Sequence, residues 1–215
     1  MLTPQEEGKR FISIKSDGLF HEKVSQETEG AKLREYKLKD GTEGSKWELL
    51  YKDLSNVHIK SIYFEDSEYG ENICTTFTDG ENEVTWSENT GTNFGSDWMK
   101  RIPNLDFTAK VSIKPYAFEA ENGKLKKGVN VYQHDKIADY FWDAEKKAKL
   151  HDFPAPPKED MKTDDWKLYF LNVKMFLVDY TKSKILPKFE SGVSPVKSDY
   201  PTPEEEGIRP QDIPF

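Results

Sequence analysis

Short runs of alternating apolar and polar residues, separated by turn residues, constrain the fold more than any other feature of this chain. Residues 57–64, 72–78 and 83–87 each have the length and the alternation of a half-buried strand. The polar segment 67–71 separates the first two runs, and Asp79-Gly80-Glu81-Asn82 separates the last two. Because turns this short join antiparallel neighbours, the middle of the chain is predicted to form a three-stranded meander.

Further predicted elements flank this meander. They are a hairpin over residues 10–24, a second pair of strands over 31–51, a short helix over 93–102, and a long hairpin over 106–118 and 127–134. Three strands, a short helix and two more strands follow the order of an OB-fold, an order that other small barrels share. We therefore predict a mainly β body, an OB-fold-like five-stranded barrel with an extra N-terminal hairpin.

The last third of the chain contains a helical pattern of apolar residues, followed by a linker-like segment. Over residues 164–186 apolar side chains recur at the helical spacing of Trp166, Phe170, Val173 and Leu177, which predicts a C-terminal helix packed on the body, or alternatively a helix that binds a partner. From Pro187 onward, Ser, Pro, Gly and acidic residues are typical of a linker. We predict a folded domain over residues 1–186 and a flexible, disordered acidic tail over 187–215.

The distribution of charge limits where an anionic ligand can bind. The net charge of the 215 residues is −8, so attraction to phosphates requires a locally basic surface. Residues 108–136 provide one, with six lysines against three acidic residues. With Cys74 as the single cysteine, no intramolecular disulfide can form, and residues 1–10 have no apolar signal core. The expected location is the cytoplasm, or the host cytoplasm for a phage protein.

The chain ends on Asp212, Ile213, Pro214 and Phe215, shortly after an acidic triplet at residues 204–206. An isoleucine and a terminal phenylalanine beside a free carboxylate can fill a partner's pocket, while the acidic run is attracted to a basic rim. This ending resembles the C-terminal tip of bacterial single-stranded-DNA-binding proteins, and the whole chain is similar to the bacteriophage type of that family. The resemblance implies an OB-fold that coats single-stranded DNA and a tip that recruits replication, recombination or repair proteins. The alternative is a disordered acidic terminus without a partner.

The long hairpin carries most of the predicted DNA-binding residues. Alternation places its valines and Ile113 on a core face and directs lysines and aromatic rings to the other face. Lysines neutralise phosphates, and flat rings stack on bases with about 1–3 kcal/mol each. The alternative is a solvated strand face whose aromatic rings pack beneath the C-terminal helix. The predicted DNA-binding residues are Lys110, Lys114, Tyr116, Phe118, Lys124, Lys126, Lys127 and Tyr132, with Trp47, Lys60 and Trp86 as further candidates.

Signals for an enzyme are weak. The chain lacks the phosphate-binding loop G-x-x-x-x-G-K-[ST], and its four histidines have no metal-ligand spacing. We predict no catalytic residue, no cofactor and no metal site. Acidic turns over residues 65–71 and 79–83 leave a metal-dependent nuclease as the less favoured alternative. Another alternative is a replication or recombination accessory protein that docks through the same tip without binding DNA.

Overall fold

The computed structural model describes residues 9–37, 41–140, 142–143, 148–149, 153–155 and 162–190. Within these residues ten strands form one sheet, which confirms the prediction of a mainly β protein. The strands are β1 (Phe11–Ile14), β2 (Phe20–Val24), β3 (Lys32–Lys37), β4 (Glu43–Tyr51), β5 (Leu54–Ser67), β6 (Gly70–Thr78), β7 (Glu83–Asn89), β8 (Val111–Glu119), β9 (Leu125–Gln133) and β10 (Lys136–Ile137). Two shorter strands, β11 (Trp142–Asp143) and β12 (Ala148–Lys149), pair only with each other.

The strand order differs from that of a closed five-stranded barrel. It is β10-β9-β8-β5-β6-β7-β1-β2-β4-β3, so the hydrogen-bonded sheet is open, with β10 and β3 at its edges. The predicted N-terminal hairpin is present as β1 and β2, and β4 and β3 continue the sheet beyond it. The sheet is mixed because β1 runs parallel to β7, with Phe11 opposite Thr85.

The turn between β1 and β2 reaches across the sheet to β8. A Cβ atom on Gly18, in this turn, would lie 2.5 Å from the backbone nitrogen of Ala117 and 2.7 Å from the carbonyl carbon of Tyr116. Three strands separate β1 from β8 in the hydrogen-bonded order. The sheet must therefore curl to bring this turn onto β8.

Aromatic rings fill the core inside this curl. The rings of Trp86 and Trp98 lie 5.5 Å apart between centroids, and Phe20 meets Trp86 edge-on at 5.6 Å. Trp98 belongs to α1 (Asn93–Arg101), and its Nε1 donates a hydrogen bond of 2.9 Å to Thr75 on β6. A buried Trp needs such a partner for its N–H, so this contact fixes α1 against the sheet.

The C-terminal helix α2 (Thr163–Tyr180) packs on the body through Val173, Leu177 and Val178. A π-helical segment (Thr181–Ile185) follows, and then α3 (Pro187–Glu190). In α3 the Phe189 ring packs edge-on against Phe107, with centroids 5.0 Å apart. The predicted start of a flexible tail at residue 187 is therefore wrong, since residues 187–190 still pack on the body. Residues 191–215, including the tip, lie outside the described residues. No described helix is both long and apolar enough to cross a membrane.

Candidate nucleic-acid interface

The hairpin of β8 and β9 brings together most of the predicted DNA-binding residues. Phe118 lies directly opposite Lys126, Lys114 opposite Asn130, and Ser112 opposite Tyr132. Directly opposed residues of antiparallel strands point to the same side of the sheet. We call this side, with Lys114, Tyr116, Phe118, Lys126, Asn130 and Tyr132, the hairpin face. Its most accessible ring, Phe118, is 51% exposed and lies 5.8 Å from the Tyr116 ring between centroids.

The strand register shows that one predicted DNA-binding lysine is not on the hairpin face, and two others lie just before the strands. Lys127 is opposite Ala117 and shares the side of Val129 and Val131, so the prediction that it joins the hairpin face is wrong. The reason is parity, because Lys127 and Tyr132 are five residues apart on one strand and must point to opposite sides. Lys110 directly precedes β8 and Lys124 directly precedes β9, and both side chains are exposed.

Helix α1 holds the hairpin from one side. Asp97 Oδ2 lies 3.4 Å from the backbone nitrogen of Val129 and 3.4 Å from the Tyr140 hydroxyl group, both of which can donate to it. Arg101 Nε donates to the Val129 carbonyl at 3.1 Å, and the guanidinium carbon lies 4.0 Å from the centroid of the Tyr140 ring. Burial raises the pKa of Asp97, while Lys100 acts in the opposite direction. Helix α1 therefore contacts the backbone of β9 at Val129, and Asp97 reaches the hairpin face at Gly128.

Close packing at Gly128 explains why a glycine occupies the middle of β9. A Cβ atom there would lie 2.1 Å from Asp97 Oδ2 and 2.5 Å from the Tyr116 hydroxyl oxygen. Tyr116 is half-buried by this packing, and the burial raises the pKa of its hydroxyl group. Phe118 and Lys126 are thus more accessible than Tyr116 for a ligand on the hairpin face.

The three further candidates lie away from the hairpin face. Trp86 is 1% exposed in the aromatic core, so its assignment as a DNA-stacking residue is wrong. Lys60 is exposed on β5 and forms an ion pair with Glu83. Trp47 is half-buried on β4, directly opposite Leu33 on β3 and Val24 on β2.

A second surface, with two exposed rings on the outward side of β6 and β7, was not predicted from the sequence. On this side Thr76 pairs with Thr85, and Cys74 pairs with Ser87 on β7 and with Tyr63 on β5. Phe11 of β1 lies beside Thr85, and it is 46% exposed, while Tyr63 is 36% exposed. We call Tyr63, Thr76, Ser87 and Phe11 the β6–β7 surface. The alternation of polar residues with Ile73, Thr75 and Phe77 was the available signal, but the neighbouring position of Phe11 depends on the parallel pairing of β1.

Among the described residues, no three histidine, cysteine, aspartate or glutamate side chains lie close enough together to hold a metal ion. The acidic turns named above lie at opposite ends of β6, one before it and one after it.

Comparison of the chain with protein-family models, with curated proteins and with solved structures finds no match.

Proposed function

We propose that this protein binds and protects single-stranded DNA without strong sequence preference, and that residues 212–215 recruit replication, recombination or repair proteins. It performs this role without catalysing a reaction. Two features support the proposal, namely the order of strands β5 to β9 in the sheet and the exposed rings and lysines of the hairpin face.

The strand order from β5 to β9 supports the proposal of an OB-fold-like plan within the open sheet. An OB-fold is a five-stranded, partly open Greek-key barrel. Here β5 has 14 residues, pairs with β6 through its C-terminal part and with β8 through Leu54 and Val57, and has a register shift between Ile59 and Ser61. Helix α1 lies between the third and the fourth strand of the set. The parallel strand β1 occupies the free edge of β7.

This correspondence supports a specific position for the DNA. OB-folds bind oligonucleotides on the surface of their second and third strands and on the turns after the first and fourth strands. In this protein those strands are β6 and β7, and the turn after the fourth strand closes the hairpin that carries Phe118 and Lys126. The β6–β7 surface supplies Tyr63 and Phe11, whose exposed rings can stack on bases of any sequence.

Titration of a fluorescent oligo-dT tests this proposal directly. Tight binding is expected at about 50 mM NaCl and weaker binding at about 200 mM, because released counterions make phosphate contacts sensitive to salt. A duplex of equal length should fail to displace the single strand, since its bases are stacked inside the helix. Absence of binding at low salt would contradict the proposal and would favour the accessory protein that docks through its tip alone.

A double substitution on the hairpin face gives the residue-level test. Phe118→Ala with Lys126→Ala removes one stacking ring and one cation that lie opposite each other, and should weaken oligo-dT binding about tenfold or more. The matched control is Phe170→Ala with Lys167→Ala, which removes one exposed ring and one exposed lysine from α2. Equal affinities of the two variants, at equal thermal stability, would exclude the hairpin face as a DNA contact.

Removal of residues 201–215 tests whether the body binds DNA and the tail recruits partners independently. DNA affinity should stay the same or increase, because the deleted segment carries three of the chain's glutamates in a row and repels phosphates. Capture of replication or repair proteins should be lost, as judged by pull-down with full-length and truncated protein. Unfolding of the truncated protein would contradict this division.

The metal-dependent nuclease is tested in the same samples. Labelled single strands incubated with the protein and Mg²⁺ or Mn²⁺ should remain intact under the proposed function. Shortening of the strands would favour the nuclease.

A further inference from the structure

The N-terminal strands β2, β4 and β3 have one strongly basic side. Register places Lys23 and Lys32 on either side of Glu48, Arg34 opposite Lys46, and Tyr36 opposite Gly44. Because directly opposed residues share a side of the sheet, these side chains form one surface. We call Lys23, Lys32, Arg34, Tyr36, Lys46 and Glu48 the extension face. Its four cations and one carboxylate give it a net charge of +3, in a chain whose net charge is −8.

Glu48 binds two of the four cations of this surface, Lys46 and Arg34. Its side chain is only 3% exposed and accepts from Lys46 Nζ at 2.7 Å and from His21 Nδ1 at 2.6 Å, while Arg34 lies 3.5 Å away. These cations and hydrogen bonds hold the pKa of Glu48 at about 2, despite its burial. A single buried carboxylate therefore fixes cations whose remaining charge faces solvent.

The other side of the same three strands has a different composition. Leu33, Glu35 and Lys37 alternate with the basic residues of β3, and Leu33 packs beside Trp47. The positive charge of Lys37 is balanced on that side by an ion pair with Glu43, with 3.0 Å between Nζ and Oε1. The positive charge of these strands is thus concentrated on one side of the sheet.

Tyr36 adds a ring to the extension face. It lies over Gly44, where a Cβ atom would come within 2.7 Å of the ring, and it is exposed on its other side. Lys46 Nζ lies 5.9 Å from the ring centroid. A ring held beside lysines combines a surface for stacking with cations for phosphates, the two parts that single-strand binding needs.

The extension face lies on the same side of the sheet as the β6–β7 surface. Ser13 of β1 lies opposite His21 of β2, and Phe11 of the same strand lies beside Thr85 of β7, so all these residues share one side of the sheet. Six strand spacings separate β5, which carries Tyr63, from β3, which carries Tyr36. At about 4.8 Å per spacing, measured along the sheet, this is a path of roughly 29 Å.

We propose that the extension face is a second segment of the single-strand site, in which Lys23, Lys32, Arg34 and Lys46 bind consecutive phosphates and Tyr36 stacks on a base. This inference rests on the proposed function, and it lengthens the binding site beyond the strands that form the OB-fold plan. The partner is the phosphate backbone of a single strand, because the face combines a net positive charge with an exposed ring and lies on the same side as the β6–β7 surface.

The test uses the exposed lysines that do not hold Glu48. In the full-length protein, Lys23→Gln with Lys32→Gln should weaken oligo-dT binding roughly tenfold at about 50 mM NaCl. The slope of log affinity against log salt should fall by about 1.4, since each phosphate contact on a single strand contributes about 0.7. Tyr36→Ala should weaken binding while leaving that slope unchanged.

The control is Lys37→Gln with Lys184→Gln, which removes the same charge from the opposite side of β3 and from the π-helical segment. Its affinity and salt slope should stay close to those of the unsubstituted protein. If the unsubstituted protein binds oligo-dT and the Lys23/Lys32 variant binds it equally with an unchanged slope, the inference is overturned and the proposed function stands. The face would then be a surface for an acidic protein segment. If the unsubstituted protein does not bind at all, the proposed function itself fails.

Discussion

Replacing Glu48 by alanine is expected to lower the free energy of unfolding by about 3–5 kcal/mol. The Glu48 side chain is 3% exposed and is the shared partner of His21, Lys46 and Arg34. Its removal leaves Lys46 and Arg34 close together without their anion, while His21 keeps Asp17. Breaking a buried ion pair from one side costs more than the pair itself contributes. Urea unfolding at pH 7, followed by circular dichroism, measures the loss.

The control lies on the same strand. Glu43 pairs with Lys37 but is 75% exposed, so Glu43→Ala should change the stability by no more than about 0.5 kcal/mol. A loss of similar size in the two variants would mean that Glu48 is not the buried centre of the cluster.

The effect of Glu48 should also depend on pH in a defined direction. Its pKa in the folded protein is about 2, against an ordinary value of 4.5, because Lys46 and His21 stabilise the charged form. Its stabilising contribution is therefore complete above pH 4.5 and is lost as the pH falls towards 2. The pKa shift accounts for about 3 kcal/mol of the difference in stability between the unsubstituted protein and Glu48→Ala. This difference should therefore become smaller as the pH falls from 4.5 towards 2. A difference independent of pH would contradict the assignment.

Replacing Gly18 by alanine should lower the free energy of unfolding by roughly 2–4 kcal/mol. Gly18 has φ of +74°, and an added Cβ would meet the backbone nitrogen of Ala117 at 2.5 Å. The clash cannot be relieved by a side-chain rotation, because the obstructing atoms belong to the β8 backbone. Urea unfolding again gives the loss of stability.

Gly30→Ala separates the conformational cost from the clash. Gly30 has φ of +80°, close to that of Gly18, but the nearest atom to an added Cβ is Leu49 Cδ2 at 3.7 Å. This variant should lose only about 1 kcal/mol, the cost of the left-handed conformation alone. Equal losses in the two variants would show that the β1–β2 turn does not rest on β8 in solution.

Local features of the chain were sufficient to predict most individual elements. Alternating residues and short turns predicted the strands at β5, β6 and β7, the Asp17-Gly18 turn between β1 and β2, and the hairpin of β8 and β9. These are interactions between residues close in sequence, which depend on side-chain alternation and on the left-handed backbone that glycine allows. Lys114, Tyr116 and Phe118 were placed on one side of β8 for the same reason, whereas Lys127 on the returning strand was wrongly expected to join them.

Predictions that needed distant contacts were less successful. Trp86 carried no local sign of its burial, which results from Phe20 and Trp98, 66 residues before it and 12 after it. The tail was predicted to begin at Pro187, but Phe189 packs on Phe107 of another part of the chain. No periodicity within residues 187–190 reports such a contact.

Local sequence patterns were thus sufficient to predict most strands and turns, and alternation alone places Lys32 and Arg34 on one side of β3. The folded structure was needed to show that β1 joins β7 in parallel and that the sheet continues through β2, β4 and β3. It was also needed to show that the extension face and the β6–β7 surface share one side. Alternation fixes which residues of one strand point to the same side, whereas register and the choice of neighbouring strand depend on contacts between residues far apart in the chain.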